Sequence, residues 1–533
     1  MNIETQVNAS MAAELMDLKN HHPDKDRLMN GVNMEAMQVF LSANAWRLTP
    51  ATLASKVSQG DWVPAHHLLY ISAKIAAALE KGNARLIVSM PPRHGKSELC
   101  SVWLPVWILD RWPTKKVMAL SYGADLAEEF GQRVRDIIQA DEDPDEGAHI
   151  LNPKCYIRKD SARVNRFLTI SGGGMRSVGL GGAVYGRGAD VLLLDDYYKN
   201  LEEASSETKR QSVLQWFATV AMSRIQKNGS AIIVATRWGT EDLSAQMLAL
   251  TGSKWTEINL PAFANENDVL GRQPGEALWP EFYDEERLNE LKQTMGTFLF
   301  SAIYQQAPKK TASELFNRDW VIKEKYPPPR ELLRRLRSWD MAGTESKGDW
   351  TAGYELAVDP ATNHFWILGR KRVQFSPGRV EELVKQTAED DGYDTQILIE
   401  QEPGSSGKTV IEHYLGTVLS GYAAHSVRHT GDKFIRAQPF FAACEFGRVH
   451  IIEGDWNEAF LDQCTEFPEC KNDDDVDSVA QGYNHFFQKV AMAGIWGRKQ
   501  KQPANDDPSI PGSRIVNAKS NKLVLGATFG RRR

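Results

Sequence analysis

The chain has 533 residues, enough for more than one domain with a sizeable core in each. Hydrophobic residues make up 42% and charged residues 25%, an ordinary globular balance rather than a fibrous or disordered one. The formal net charge of −6 excludes a globally cationic polyanion binder, so any contact with nucleic acid must come from local basic patches. Cys100, Cys155, Cys444, Cys464 and Cys470 are too few and too scattered for a disulfide framework, and none forms a paired CxxC, so a reducing compartment is expected. Met1 to Thr5 show no basic region leading into an apolar run, and no stretch is long enough to span a membrane.

In chain order, residues 1–60 read as a helical N-terminal extension without evident chemistry, its patterns at Met11–Met16 and Met34–Leu41 separated by Pro23. Pro64 opens a helix that runs through Leu79. His66 or His67 at its start could meet an adenine ring, but a histidine at a helix start is more often a surface or capping residue, and both are left out of the expected site. Leu86-Ile87-Val88 is a short buried strand, and Glu98 to Leu104 starts a helix. Between them lies Ser89-Met90-Pro91-Pro92-Arg93-His94-Gly95-Lys96-Ser97. A strand, a tight loop ending Gly95-Lys96-Ser97 and a helix are the parts of a phosphate-binding loop: backbone N–H groups and the helix N-terminus attract the anion, the lysine reaches the outer phosphates and the serine hydroxyl ligates Mg²⁺. Met90 stands where that pattern usually has its first glycine.

Lys116–Tyr122 is the next strand and Ala124–Gln139 an amphipathic helix; this alternation predicts a parallel sheet. The acidic run at 141–146 reads as a solvated loop. Glycines between Gly172 and Gly188 predict tight turns around a hairpin close to the nucleotide, and lead into Asp190–Asp196, a buried strand ending in two carboxylates. In an open parallel sheet ligands bind at that end. There Asp195 can hold Mg²⁺ through water and Asp196 can polarise an attacking water. A further strand, Ser230–Ala235, ends in Thr236 and Arg237, either of which could sense a γ-phosphate or serve as a cap or salt bridge.

Pro-Pro-Arg-His-Gly-Lys-Ser at 91–97, the run from Gly186 to Asp196, and Ala-Thr-Arg-Trp-Gly at 235–239 resemble the ATPase half of the large terminase subunit of tailed bacteriophages. Ala302–Pro308 resembles the segment that closes that half. The resemblance implies an additional-strand P-loop ATPase over 61–308 that pumps double-stranded DNA into a procapsid, with Arg93, His94, Gly95, Lys96, Ser97 and Asp195 binding ATP and Mg²⁺. It also implies an arginine finger acting on a neighbouring subunit's ATP. Arg187 matches it, with Arg93 and Arg224 as alternatives; such a finger is worth about 10³–10⁵ in rate.

Residues 309–335, with Lys309-Lys310-Thr311 and a triple proline at 327–329, read as a linker. Leu336–Asp340 then places a carboxylate at a strand end, and Asp349–Val358 and His364–Leu368 complete a hairpin meander. Gln396–Glu400 ends in a second carboxylate, and Asn472–Ala480 opens a helix carrying Asp473, Asp474, Asp475 and Asp477. Asp474 and Asp477, three apart, share a helix face. Acids on a first strand, a later central strand and a terminal helix are the arrangement of RNase H-like nucleases, in which two hard divalent ions about 4 Å apart clamp a scissile phosphate. Ser-Trp-Asp, Ile-Glu-Gln-Glu-Pro-Gly-Ser-Ser-Gly-Lys and Asp-Asp-x-Val-Asp again resemble the terminase family. The match implies Asp340, Glu400 and Asp474 as main ligands of Mg²⁺ or Mn²⁺ with Asp477 accessory. The choice among Asp473, Asp474 and Asp477 stays open. Lys433 and Arg436, in a segment that also fits the family, either contact DNA phosphates or pair on a helix.

The expected architecture is therefore α/β: a P-loop ATPase domain with a parallel-rich sheet, then an RNase H-like nuclease domain over 336–495 and a basic tail over 496–533. The implied partners are double-stranded DNA, the small terminase subunit, the portal protein and further copies of the chain in a ring, pentameric by family analogy. The implied location is the host cytoplasm with transient docking on the procapsid. Rival readings are a helicase-like repair ATPase fused to a nuclease, which would need a helicase motif series after Thr236, and a catalytically silent DNA-binding or assembly module.

Overall fold

The computed structural model describes residues 45–142, 149–182, 188–250, 254–309, 315–341, 350–401, 405–428, 432–470 and 472–495. The expected N-terminal helices, Arg187, Asp349 and the basic tail lie outside these residues.

The apolar runs seen in the sequence become the middle of two sheets. The first has eight strands: β1 (Arg85–Ser89), β2 (Lys116–Ser121), β3 (Ile157–Arg163), β4 (Arg166–Thr169), β5 (Gly174–Gly179), β6 (Ala189–Asp195), β7 (Ile225–Ala235) and β8 (Thr256–Asn259). Their order is β3-β4-β5-β2-β6-β7-β1-β8. Strands β5 to β8 in that order are parallel, and β3 and β4 join antiparallel at one edge. Parallel strands are covered on both faces, which is why β6 and β1 read as unbroken apolar runs. Helices α1 (Pro50–Val57), α2 (His66–Lys81), α3 (Leu104–Arg111) and α4 (Ala124–Glu142) share one core with Val88, Val117, Val191, Phe167 and Met175. On the other face, α5 (Glu207–Trp216) and α6 (Leu243–Ala249) pack Val213, Leu243 and Met247 onto Leu192, Leu194 and Ile233. The glycine-rich turn at Ile170–Gly173 makes a β4–β5 hairpin as its composition predicted, but at the amino end of β5, across the sheet from the loop that follows β1 rather than beside it.

The second sheet has seven strands: β9 (Ile322–Glu324), β10 (Arg334–Asp340), β11 (Thr351–Val358), β12 (Phe365–Val373), β13 (Thr395–Glu400), β14 (Ala424–Val427) and β15 (Val449–Ile452). The order is β14-β13-β10-β11-β12-β15-β9, with the meander β10-β11-β12 antiparallel and the flanking strands parallel to it. The stretch 309–335 is thus not linker throughout. Leu315, Phe316 and Val321 are buried in the second core and β9 extends its sheet, because these apolar side chains find distant partners there that spacing alone does not reveal.

Between the sheets runs α7 (Glu285–Ile303). Leu288 and Phe300 face a small core with Ala262, Tyr283 and Tyr304 on the first domain. Gly296, at φ +81, breaks the helix, and from there it leans on α9 (Lys433–Glu445) of the second domain, which lies in the chain between α8 (Pro377–Asp391) and α10 (Asn457–Glu466). The Thr297 amide donates to Glu445 Oε2 at 2.8 Å, and Phe298 meets Phe434 edge-on at 5.7 Å.

On β11, Gly353 lies directly opposite Trp339 of β10, and a methyl group there would sit 2.4–2.7 Å from the buried indole. Gly353→Ala should therefore destabilise the second domain by about 1–3 kcal/mol, the usual cost of overpacking. A urea titration followed by tryptophan fluorescence checks this; an unchanged midpoint would mean that the indole has room to move.

Candidate active sites

The first site lies at the carboxyl ends of β1, β6 and β7, with β7 between the other two. The chain leaves β1 through buried Met90 and turns sharply at Arg93 (φ +60) and Gly95 (φ +84). A Cβ on Gly95 would lie 2.8 Å from Leu68 Cδ1, so the glycine answers both a positive φ and a close approach to α2. The helix then begins at Lys96 and continues as a wide-turned segment, Glu98–Trp103, which points its N-terminus at the loop.

Lys96 is buried and crosses to the far strands. Its ammonium donates to Thr236 Oγ1 at 3.0 Å and pairs with Asp196 Oδ2 at 3.2 Å. Asp196, at φ +41, also accepts from the Thr236 amide at 3.2 Å. Asp195 is buried behind it and accepts from Ser101 Oγ at 2.7 Å, while its Oδ1 has no partner. Burial first, then the Asp196 charge, raises the Asp195 carboxyl to about 6, with Lys96, Ser101 and Ser97 opposing the shift. A buried orphan carboxylate oxygen beside a serine hydroxyl is a hard-donor pair of the kind Mg²⁺ takes, so Ser97 and Asp195 fit that ion.

Not every candidate faces this centre. Arg93 is exposed on the loop. The His94 ring is buried and committed to packing: it stacks on Tyr283 at 4.9 Å, its Nδ1 lies 2.8 Å from the Pro92 carbonyl, and burial lowers its pKa to about 4. Its contribution to a phosphate is thus restricted to its backbone. His67, expected at the surface, is fully buried with Nε2 2.9 Å from the His94 carbonyl; α2 turns that side of its first turn toward the loop. Arg237 is not available to a γ-phosphate. It is held by Asp242 at 2.8 Å and Glu257 at 3.3 Å, and its amide donates to Gln306 of the closing segment at 3.0 Å. Arg224 precedes β7 at the opposite end of the sheet, about 20 Å from its own site given the seven-residue length of the paired β6. Ser101 and the Trp279–Tyr283 lining carried no sequence signal, since contacts between segments so far apart have no local period.

The second site is built by register. Trp339 pairs with Ile399 in parallel strands, so Asp340 and Glu400, the next residues, emerge side by side at two carboxyl ends. The terminal helix α11 (Asp474–Ile495) is clasped to β10 by reciprocal bonds, Ser338 Oγ to the Ser478 carbonyl at 2.7 Å and Ser478 Oγ to the Ser338 carbonyl at 2.8 Å. That clasp sets its first turn against Asp340. Burial, then the charges of Glu400, Asp477 and Asp474 in that order, pushes the Asp340 carboxyl well above its ordinary range. Asp475 turns the other way, fully buried and paired with Arg370 at 3.2 Å.

The basic pair of α9 enters this acidic cluster. Lys433 Nζ lies 2.8 Å from Asp473 and 2.9 Å from Asp477, and Arg436 lies 3.2 Å from Asp477 and 3.6 Å from Glu400. Among the described residues no three His, Cys, Asp or Glu side chains are gathered closely enough to hold a metal. The donor set is nonetheless all carboxylate, as a hard divalent cation requires. Asp477 bears on Asp340 more strongly than Asp474, which approaches Arg372 at 4.0 Å.

A family model described as "Terminase large subunit, T4likevirus-type, N-terminal" matches residues 87–322, and one described as "Terminase RNaseH-like domain" matches residues 337–486. No curated protein matches the chain. Among solved structures, the large terminase of a thermophilic bacteriophage is 9% identical with a TM-score of 0.46, over 77% of this chain and 95% of that one. The large terminase of bacteriophage HK97 is 12% identical with a TM-score of 0.33, over 74% and 87%. The P22 large terminase nuclease domain is 12% identical with a TM-score of 0.26, over 33% and 90%.

A raised carboxyl pKa stabilises the folded state below its unfolded value, near 4, and that contribution is lost as pH rises through about 6. Asp195→Asn should therefore raise the melting temperature of the ligand-free protein above pH 6, with the gap closing toward pH 4. Calorimetry at pH 5 and pH 8 checks this; a pH-independent difference would refute the buried, charged Asp195.

Proposed function

Because the chain belongs to the terminase large-subunit family, which packages viral DNA with energy from ATP and cuts it, we propose that its two carboxylate sites divide that work between them. The observation that carries the reading is the Lys96 ammonium closed between Asp196 and Thr236, which joins the loop to the strand ends where a γ-phosphate is handled. Gly95, Lys96 and Ser97 cradle the phosphates of ATP, with Arg93 at the loop's rim. Ser97 and Asp195 would hold Mg²⁺, which when bound neutralises phosphate charge. Asp196 accepts the proton of the attacking water, and Thr236, bonded to the same lysine, registers the state of the nucleotide. Arg187 serves the neighbouring subunit's nucleotide.

In the second domain Asp340, Glu400, Asp474 and Asp477 would hold Mg²⁺ or Mn²⁺, whose charge supports phosphodiester hydrolysis. Cutting is expected to show little sequence preference, because no recognition helix or zinc finger is evident in the sequence. The small terminase subunit, the portal protein and a ring of copies, five by family analogy, are the partners proposed. The work is placed in the host cytoplasm at the procapsid. No described helix is long and apolar enough to cross a membrane.

Plasmid digestion with Mg²⁺ or Mn²⁺ and ATP turnover separate the two sites. Lys96→Ala should reduce turnover to background while leaving cutting, and Asp340→Asn the reverse. Turnover surviving in the first, or cutting in the second, would misplace that site. Mixing Arg187→Ala with Lys96→Ala subunits should restore part of the turnover if the arginine acts across subunits; no recovery would refute action in trans.

A further inference from the structure

Away from both sites, the antiparallel edge of the first sheet carries an unusual row. Arg163 of β3 lies directly opposite Arg166 of β4, and Arg166 lies directly opposite Arg176 of β5. Directly paired residues point to the same face, so three guanidinium stems stand side by side across three strands. Strands lie about 4.8 Å apart, so the row spans about 10 Å. Its face is set by the alternation of each strand. Phe167 and Met175, the neighbours of Arg166 and Arg176, fill the core on the other side, which leaves Arg163 and Arg166 exposed on the opposite face with Arg176 half-buried beside them.

Like charges placed directly opposite each other destabilise a sheet, and this arrangement repeats the penalty across two strand pairs. Protection of an exposed edge is not a sufficient reason. Edge protection needs charge on the outermost strand, which is β3, whereas Arg166 and Arg176 stand on the second and third strands in. The surroundings add to the positive charge. Residues 157–169 carry Arg158, Lys159, Arg163 and Arg166 against one acid, Asp160, which pairs with Arg158. Arg166 and Arg176 also line an open cleft of about 480 Å³ with Asn165, Ser177 and the first turn of α4. The acid in that cleft, Glu128, accepts from Asn165 Nδ2 at 3.1 Å. All this sits on a chain whose net charge is −6.

We propose that the Arg163–Arg166–Arg176 row is a contact for the phosphate backbone of double-stranded DNA on the ATPase domain. Guanidinium forks match phosphate oxygens in geometry as well as charge. A row about 10 Å long is wider than one phosphate group, so it suits a polyanion with repeating charges rather than a small anion. Contacts of this kind hold DNA without reading its bases, as a protein that moves along any sequence requires. The inference rests on the DNA-packaging function proposed above and adds to it the surface that holds the substrate.

The test is a salt titration of binding to a fluorescent duplex of random sequence, using the full chain. Each phosphate contact contributes about 0.9 to the slope of log affinity against log salt concentration. The triple variant Arg163→Gln, Arg166→Gln, Arg176→Gln should lose about 2–3 from that slope, and the corresponding triple lysine variant should keep it. ATP turnover without DNA should stay at the parent level in both. An unchanged slope in a folded triple variant overturns the proposal and leaves the packaging function standing. A parent chain that binds no duplex overturns both. If the triple variant does not fold, Arg166→Gln alone decides: the exposed central arginine should remove about 0.9 from the slope, and an unchanged slope refutes the row.

Discussion

A lysine ammonium cannot be buried without an answering charge, and much of the first domain is arranged around that requirement. Lys96 is 6% exposed, and Asp196 and Thr236 are its answer. Breaking a buried pair of this kind costs about 3–5 kcal/mol, so the three segments that supply its members are bound to one another energetically as well as by the sheet. The sheet order makes the pairing possible. With β7 between β1 and β6, the loop, the carboxylate pair and the threonine open onto one crevice at the carboxyl ends of adjacent strands. Burial of Asp195 behind the pair leaves one oxygen without a partner.

The second domain meets the opposite problem, an excess of like charge. Parallel register brings Asp340 beside Glu400, and the serine clasp brings Asp474 and Asp477 to them. Burial first, and then the repulsion of these neighbours, raises the Asp340 carboxyl. Lys433 and Arg436 offset it with charge-assisted hydrogen bonds to Asp473 and Asp477 and a looser ion pair from Arg436 to Glu400. The two basic side chains therefore belong to the electrostatics of the cluster itself.

Packing is continuous between the two sites. His94 of the phosphate loop stacks on Tyr283, just ahead of α7, and α7 rests through Thr297 and Phe298 on the helix that carries Lys433 and Arg436. Gly296 is what lets α7 serve both domains: its positive φ redirects the helix, and its missing side chain admits Ala442.

Sequence alone was sufficient for features that depend on neighbours in the chain. The apolar runs ending in Asp195, Asp340 and Glu400, the Gly95-Lys96-Ser97 loop and the meander of β10 to β12 all follow from local period and turn chemistry, and they define both domains and the main acidic residues. Only the tertiary structure decided the fates of side chains that meet distant partners. Arg237 is held by Glu257 and Gln306 as well as by nearby Asp242, the His94 ring by Tyr283, and Lys433 by Asp473 and Asp477; and residues 315–324 join the second core. The physical reason is common to all of them. Strand register and helix packing bring together residues tens or hundreds of positions apart, and no local pattern records which of them will share a charge, a ring or a cavity.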